Sequence, residues 1–343
     1  MTDQSHIPLP PAGKKSLFER AEDLFGFGIS PAPVPAELVD APLSKRNASS
    51  SWRAASPAEE TAGPLASETP TTADLPEPKL EIVELHSAVE PEPEAIVFAG
   101  PHHRIDRRHL AAQGLIQPDG KVTALLEEFR IVKRQLLLSA REARRAGGGA
   151  RAQRVLVCSP LPGEGKTFCA TNLALAMAAE KDSEVLLVDA DFAKPSVLST
   201  LGLPGGRGLM DALADPTIRV EDCVIATDVA GLYVLPAGNQ TNSDSEFLSS
   251  GRTAEVLDRL TQGTSNRMVI FDSPPALAAA PAAELAKHVG QALVVVRADE
   301  TGQSALEDAL SLLSTCPDIK LLLNAAHFSP SGRRFGTYYG YGG

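Results

Sequence analysis

Residues 159–167, with the sequence SPLPGEGKT, constrain the fold more than any other segment of the chain. They stand between a short apolar stretch, 154–159, and a stretch of helical pattern, 167–179. Glycines between a strand and a helix let backbone N–H groups close around phosphate oxygens, and the first turn of the helix adds partial positive charge. The motif predicts a phosphate-binding loop, in which Lys166 reaches the terminal phosphates of a nucleotide and the Thr167 hydroxyl binds Mg²⁺.

Apolar segments of strand length recur along the chain and alternate with helical patterns such as 250–260 and 304–313. The predicted strands are 154–159, Glu184–Asp189, 231–236, Arg267–Asp272, Gln291–Arg297 and Ile319–Asn324. Continuous apolar strands of this kind belong to a parallel sheet that helices cover on both faces. The sequence thus predicts a mostly parallel, doubly wound α/β fold, with one long charged helix over 122–143 ahead of the first strand.

Three carboxylates follow or end predicted strands. Asp189 and Asp191 stand at the end of EVLLVDAD, and Asp272 ends the strand of RMVIFDSPP. In an open α/β sheet the carboxyl ends of the strands line the ligand crevice. Because Mg²⁺ prefers hard oxygen ligands, one or two of these aspartates are expected to complete its shell together with Thr167 and phosphate oxygens.

The region before the predicted fold has a different composition. Segment 29–95 holds 11 of the 27 prolines and 12 acidic residues against 4 basic ones. Such a segment buries too little apolar surface to offset its ordering entropy, so we predict a disordered linker. The short segment 16–27 ahead of it has an apolar helical face, which suits either docking to a protein partner or packing back onto its own domain.

Composition also limits the possible functions. The formal net charge of −11 argues against a nucleic-acid partner, because domains that bind nucleic acid are normally basic. No apolar run approaches the about 18 residues of a membrane helix, and the N-terminus lacks the apolar stretch of a signal peptide. We therefore expect a cytoplasmic protein. The four cysteines have no metal-ligand spacing and are expected to be buried small hydrophobes.

Most tyrosines of the chain lie close to its C-terminus. Three of the four, Tyr338, Tyr339 and Tyr341, stand within the last six residues, in FGTYYGYGG. The glycines around them favour mobility, and the segment has no residues from which to build a core. We predict a flexible phosphoacceptor tail.

In their order along the chain, SPLPGEGKT, LLVDADFAKP, VIFDSPP and the terminal YYGYGG resemble the motifs of the bacterial tyrosine kinases (BY-kinases) that govern exopolysaccharide assembly. They correspond to the Walker A, Walker A′ and Walker B motifs and the tyrosine cluster of that family. The stretch from residue 105, IDRRHLAAQGLIQPDG, resembles more narrowly the tyrosine autokinases of exosortase/PEP-CTERM exopolysaccharide systems. The resemblance implies a P-loop fold of the deviant Walker type, as in ParA/MinD-like ATPases, and a kinase that uses ATP and Mg²⁺.

The resemblance also implies roles for individual residues. Lys166, Asp189 and Asp191 would be catalytic, with Asp191 orienting or deprotonating the tyrosine hydroxyl. The residues that would bind the metal are Thr167, Asp189 and Asp272. The residues that would line the ATP site are Pro162, Gly163, Glu164, Gly165, Lys166, Thr167, Phe168 and Asn324. This chain departs from the family pattern at Pro160, where the motif usually has glycine, and at Ala193, where many members have arginine, with Lys194 next.

Family members assemble as rings through a Glu-x-x-Arg-x-x-Arg helix motif. The near match here predicts oligomerisation through Glu127, Arg130, Lys133 and Arg134; the alternative for these residues is a solvated helix face. A homo-oligomeric ring would let each tail be phosphorylated in trans. The implied partners are a membrane-embedded polysaccharide chain-length regulator (Wzz-like), which would recruit the chain to the inner face of the plasma membrane, and a cognate tyrosine phosphatase.

Two other functions remain open from the sequence. One is a ParA/MinD-like positioning ATPase, although such proteins carry a second lysine early in the loop, where this chain has Pro160 and Leu161. The other is a scaffold that binds nucleotide without catalysis. The predicted organisation has five parts. They are a docking helix at 1–28, a linker at 29–95, a helical oligomerisation segment at 96–150, a P-loop domain at 151–325 and a tail at 326–343.

Overall fold

The computed structural model describes residues 94–98, 100, 102–241 and 243–326. The predicted docking helix, nearly all of the linker and the tyrosine tail lie outside these residues. Within them, no helix is both long enough and apolar enough to cross a membrane.

The described residues form an eight-stranded sheet in the order β1-β4-β5-β3-β6-β2-β7-β8. All pairs of neighbouring strands are parallel except β4 and β5. The strands are β1 His102–His103, β2 Arg154–Cys158, β3 Glu184–Asp189, β4 Ile225–Thr227, β5 Leu232–Leu235, β6 Arg267–Asp272, β7 Gln291–Arg297 and β8 Ile319–Asn324. The mostly parallel α/β fold is thus confirmed, and all six predicted strands are present. The short strands β1 and β4 were not predicted.

Helices pack on both faces of this sheet. They are α1 Arg107–Ala112, α2 Ala124–Arg145, α3 Lys166–Ala178, α4 Val197–Leu201, α5 Leu209–Ala214, α6 Asp244–Ser249, α7 Gly251–Arg259, α8 Pro281–Ala286 and α9 Gln303–Leu312. Successive residues of β2 contribute to two separate cores, since Leu156 and Cys158 pack on one side and Val155 and Val157 on the other. The continuous apolar strands of the sequence follow from this double coverage.

The long helix α2 belongs to the same body as the sheet. Its residues Phe129, Leu136 and Ala140 are buried in the core that also contains α3. The Thr123 side chain caps the first turn by accepting a hydrogen bond from the Leu126 N–H at 3.2 Å. The predicted oligomerisation segment 96–150 therefore helps to build the core of the P-loop domain.

Of the four residues predicted to mediate oligomerisation, Lys133 makes contacts within its own domain. Its Nζ donates to the Ala176 carbonyl at 2.9 Å and forms an ion pair with the Glu180 carboxylate at 2.9 Å. Its positive charge is therefore compensated within the chain. The predicted role of Lys133 in oligomerisation stays a prediction. Glu127 and Arg130 form an ion pair within the helix, while Arg130 and Arg134 are exposed.

The four cysteines are free and buried, as predicted. Burial in an apolar core raises the pKa of Cys158 and of Cys169 to about 12. Thiols with such pKa values stay protonated and unreactive near neutral pH.

Candidate active site

The phosphate-loop motif connects β2 to α3, as predicted. Gly163 and Gly165 adopt left-handed backbone conformations, with φ of +84° and +94°. A Cβ at Gly165 would also overlap the Nδ2 of Asn324, so that side chain would have to move and give up its contact with the loop. Helix α3 begins at Lys166, so its first-turn N–H groups face the loop. This geometry is that of an anion-binding loop at a helix N-terminus.

The two polar residues at the start of α3 contact two of the predicted aspartates. The Lys166 Nζ lies 2.8 Å from the Asp191 Oδ2, and both side chains are nearly buried. The Thr167 hydroxyl donates to the Asp272 Oδ2 at 2.6 Å. The strand ends and the loop thus bring Lys166, Thr167, Asp191 and Asp272 into one cluster.

Asp189 has a different environment from its neighbour two residues later. Its Oδ2 accepts hydrogen bonds from the N–H groups of Ser196 and Val197, both at 2.9 Å, and its Oδ1 accepts from the Asp191 N–H at 3.2 Å. Burial raises the pKa of this carboxyl to about 6, and the three N–H donors oppose the rise. In the geometry described here, Asp189 shapes the turn that presents Asp191; its roles as catalytic residue and metal ligand stay predictions.

One carboxylate oxygen of Asp272 is a candidate ligand for a metal ion. Cα of Asp272 is paired with Cα of Asp189 in the β3–β6 register, and its Oδ1 is buried with no hydrogen-bond partner within the described part of the chain. Burial raises the pKa of this carboxyl to about 7. A buried carboxylate oxygen without a partner is costly unless water or an ion satisfies it. The described residues hold no cluster of three or more His, Cys, Asp or Glu side chains that could bind a metal ion. With few protein ligands, an ion at this position would depend on phosphate oxygens as well. The Thr167 hydroxyl and the unpartnered Asp272 Oδ1 are hard oxygen donors, so they fit an Mg²⁺ ion that also binds phosphate oxygens.

A network that we call the loop latch holds the phosphate loop from the side of β7 and β8. The buried Glu164 carboxylate accepts hydrogen bonds from the Leu161 N–H at 2.8 Å and from the Thr301 hydroxyl. Asn324 donates its Nδ2 to the Glu164 carbonyl at 2.9 Å, and Arg297 donates its Nη1 to the Gly163 carbonyl at 3.1 Å. The latch therefore connects the ends of β7 and β8 to the loop.

The latch refines the predicted set of ATP-binding residues. Because the Glu164 carboxylate is turned into the protein, only its backbone is available to phosphate, and Asn324 contacts the loop directly. Pro162 is exposed on the loop, and Phe168 is half-buried in the core. Sequence reasoning missed Arg297 and Thr301, which stand more than 130 residues from their partners along the chain.

Residues 157–326, about half of the chain, match a family model described as AAA domain. The tyrosine-protein kinase YwqD of Bacillus subtilis is 34% identical over 162 residues, which cover 47% of this chain and 67% of YwqD. The tyrosine-protein kinase ptk of Acinetobacter johnsonii is 31% identical over 162 residues, which cover 47% of this chain and only 22% of that protein. Among solved structures, the chimerical protein CapA2B2 has a TM-score of 0.51 and 25% identity, over 66% of this chain and 95% of that chain.

These matches agree with the geometry of the loop and the aspartates. The site is a P-loop nucleotide site at the carboxyl ends of a parallel sheet. The chain belongs to the family of bacterial tyrosine kinases.

The loop latch gives a prediction for nucleotide binding. Thr301→Val removes the hydroxyl that donates to Glu164 and leaves that buried carboxylate with one contact fewer. We expect ATP to bind more weakly in isothermal titration, by up to about fivefold, because a loop that loses a hydrogen bond worth about 1 kcal/mol is less well preorganised for phosphate. Ser304→Ala, an exposed hydroxyl at the start of α9, is the matched control and should bind ATP like the unmodified chain. Equal affinities for the two variants would show that the latch does not support the loop.

Proposed function

We propose that this chain is an ATP-dependent protein-tyrosine kinase. Each copy would phosphorylate Tyr338, Tyr339 and Tyr341 in the tail of another copy, that is, in trans. The observation that carries this proposal is the contact between Lys166 and Asp191 at the start of the phosphate-loop helix. This contact supports the proposal because Lys166 would bind the transferred phosphate and Asp191 would accept the proton of the tyrosine hydroxyl. Its relatives YwqD and ptk are tyrosine-protein kinases, which supports the same activity for this chain.

The chemistry follows from charge and position. In phosphoryl transfer the protein mainly positions the groups and neutralises charge. When a nucleotide occupies the loop, Lys166 turns its Nζ to the phosphate oxygens, which leaves Asp191 free to accept the proton of a tyrosine hydroxyl. Thr167 and Asp272 would hold Mg²⁺, which neutralises charge on the phosphate oxygens when bound. The exposed Lys194, whose backbone N–H donates to the Asp191 Oδ1, would supply a further cation where many family members have an arginine one position earlier.

Phosphorylation of the tail would change its charge and thereby regulate the assembly of subunits. Each phosphate adds about −1.5 to −2 charges to the tail, which the aspartates of the site would repel. Such a cycle would couple the opening of a ring of subunits to exopolysaccharide polymerisation and export. The proposed partners are the membrane-embedded chain-length regulator and a tyrosine phosphatase, with the kinase in the cytoplasm at the inner face of the plasma membrane.

The ring itself is testable on helix α2. Alanine at Glu127, Arg130 and Arg134 should give a monomer by light scattering, which binds ATP normally but phosphorylates itself poorly. Lys133 is left unchanged because its contacts support the fold. Alanine at Glu307 and Asp308, exposed charges on α9, is the control and should not change the size. An unchanged oligomer in the α2 variant would assign those charges to a solvated helix face.

One assay separates the three candidate functions. The purified chain is incubated with ATP and Mg²⁺, and phosphotyrosine and released phosphate are both measured. A kinase accumulates phosphotyrosine, whereas a positioning ATPase releases phosphate without forming it. A scaffold binds ATP and does neither. Absence of phosphotyrosine from a chain that binds ATP would overturn the proposed function.

A further inference from the structure

A groove lined mainly by cations lies at the amino ends of the strands, at the opposite edge of the sheet from the phosphate loop. It is made of two adjoining cavities of about 150 and about 720 Å³, which share Leu137, Arg141 and Lys181 in their walls. Helix α2 forms one wall, and the segments that lead into β3 and β6 form the other. We call it the basic groove. The exposed cations that line it are Arg130, Arg134, Arg141, Arg144 and Lys181.

Most of this positive charge is not compensated within the described part of the chain. Lys133 also lines the groove, but its charge is compensated by Glu180. One further carboxylate, that of Asp182, lines the smaller cavity. Among the described residues, four of the exposed cations form no ion pair, namely Arg134, Arg141, Arg144 and Lys181. The groove therefore has an excess of positive charge, which attracts an acidic ligand.

The groove also offers apolar surface between these cations. Leu138, on α2, lines the larger cavity and is 48% exposed, and Leu137 beside it is half-buried. Arg134 stands four residues before Leu138 and Arg141 three residues after it, a spacing that puts the three side chains on one helical face. This face suits a ligand that combines carboxylates with apolar side chains.

The described part of the chain begins beside this groove. The Gln262 side chain donates to the carbonyl of Glu94 at 3.4 Å. Three residues after Gln262, the Ser265 carbonyl accepts a hydrogen bond from the Arg144 guanidinium at 2.7 Å, and Ser265 itself lines the smaller cavity. The chain that precedes Glu94 therefore joins the domain next to one end of the basic groove.

The ten residues before this junction, 84–93, have the complementary composition. They contain three carboxylates, Glu84, Glu90 and Glu92, with no lysine or arginine, and they include the apolar Leu85 and Val89. Ten extended residues span at most about 35 Å. The cations of α2 from Arg134 to Arg144 extend over only about 15 Å of helix axis. Segment 84–93 is therefore long enough, and of the right charge, to follow the groove.

From these observations we propose that residues 84–93 dock in the basic groove of their own chain. The glutamates would contact the exposed arginines and Lys181, and Leu85 and Val89 would cover Leu138. Because the segment is tethered next to the groove, its effective concentration is about millimolar, and weak contacts are enough to hold it.

Docking would also affect assembly. Arg130 and Arg134 belong both to the basic groove and to the predicted oligomerisation surface of α2. A docked segment would cover these side chains and compete with a neighbouring subunit. Segment 84–93 would then act as an intramolecular inhibitor of ring formation, a consequence that rests on the proposed ring.

Disulfide trapping in the full chain tests the docking. Val89→Cys is combined with Leu138→Cys in the groove or, as a matched control, with Leu312→Cys on α9, since Leu138 and Leu312 are 48% and 47% exposed. The four natural cysteines are buried. With oxidised glutathione in a dilute sample, the groove pair should form an intramolecular disulfide about tenfold faster than the control pair or more, measured by mass spectrometry without reduction.

Reversal of the charges gives a second measurement on the groove pair. Two sets of changes are made, lysine at Glu84, Glu90 and Glu92, or glutamate at Arg141 and Lys181. Either set alone should slow trapping by about fivefold or more, because like charges then face each other. Both sets together should restore it. The control for the first set makes the same change of charge elsewhere in 29–95, with lysine at Glu59, Glu60 and Glu68, and should not slow trapping.

Three results would overturn the docking. They are equal rates for the two cysteine pairs, disulfides that form only between two copies, and trapping that neither reversal slows. Light scattering then tests the consequence for assembly, because the chain with lysine at Glu84, Glu90 and Glu92 should form larger oligomers at the same concentration. Trapping as expected, with no change of size in that chain, would instead contradict the proposed ring surface on α2.

Discussion

Lys166→Met is expected to remove phosphotyrosine from the chain and to leave a folded protein that melts cooperatively. The Lys166 Nζ contacts the Asp191 carboxylate, and methionine keeps most of the length of the side chain. The loss should be about 10²–10³-fold or more, as for other groups aimed at charge that develops during transfer. Quantitative phosphotyrosine detection after incubation with ATP and Mg²⁺ measures it.

Stability needs its own control in this experiment. Removing Lys166 leaves the Asp191 side chain, which is 6% exposed, without its counter-ion. Breaking a fully buried pair costs about 3–5 kcal/mol, and less is expected here because the Asp191 Oδ1 keeps the Lys194 N–H at 3.1 Å. Adding Asp191→Asn should restore much of the melting temperature without restoring phosphotyrosine. Full phosphotyrosine in Lys166→Met would contradict the catalytic assignment.

The second large effect concerns the acceptors. Changing Tyr338, Tyr339 and Tyr341 together to phenylalanine should remove nearly all autophosphorylation and leave the melting temperature almost unchanged. The remaining tyrosine, Tyr233, lies in β5 with its ring 5.2 Å from that of Phe98 in an edge-to-face contact. A tyrosine packed in this way does not reach the aspartate cluster of another subunit.

The matched control for the tail is Tyr233→Phe. This variant should keep the phosphotyrosine level of the unmodified chain, since the packed ring is retained and only the hydroxyl is lost. Mapping of phosphorylated residues by mass spectrometry gives the result for both variants. Phosphate found mainly on Tyr233, or on serine and threonine of 29–95, would be inconsistent with the tail as substrate.

The strands that the sequence predicted are those with long apolar runs. β3, β6 and β7 have the predicted bounds because both faces of each are covered, which leaves an uninterrupted apolar signal. The edge strand β8 also has the predicted bounds, and its apolar run was recognised although Leu321 and Leu323 are exposed. β1 and β4 have two and three residues, too few for any period to be recognised. Their place in the sheet depends on pairing with distant strands, which a local pattern does not contain.

The same distinction applies to the site. Lys166, Thr167, Asp191 and Asp272 could be predicted because each stands at the end of a predicted strand or at the start of a helix. The loop latch could not, because it depends on β7 lying beside β2, and the order of strands in a sheet is not written in local sequence. Its contacts join residues that are in contact in the structure but lie near opposite ends of the domain's sequence.

The burial of Lys133 could have been predicted from the spacing of the helix. It stands four residues after Phe129 and three before Leu136, a spacing that puts all three on one helical face. That face is the buried one. The charge motif suggested an interface, whereas the apolar spacing indicates a lysine whose charge is satisfied inside the chain.

The central claim is that one copy of this chain transfers phosphate from ATP to the tail of another. The most direct test mixes two inactive variants, Lys166→Met, which keeps its tail, and the chain with phenylalanine at Tyr338, Tyr339 and Tyr341, which keeps its active site. Neither should form phosphotyrosine alone. In the mixture with ATP and Mg²⁺ we predict phosphotyrosine on the tail of the Lys166→Met chain. A mixture without phosphotyrosine, under conditions in which the unmodified chain labels itself, would contradict transfer in trans.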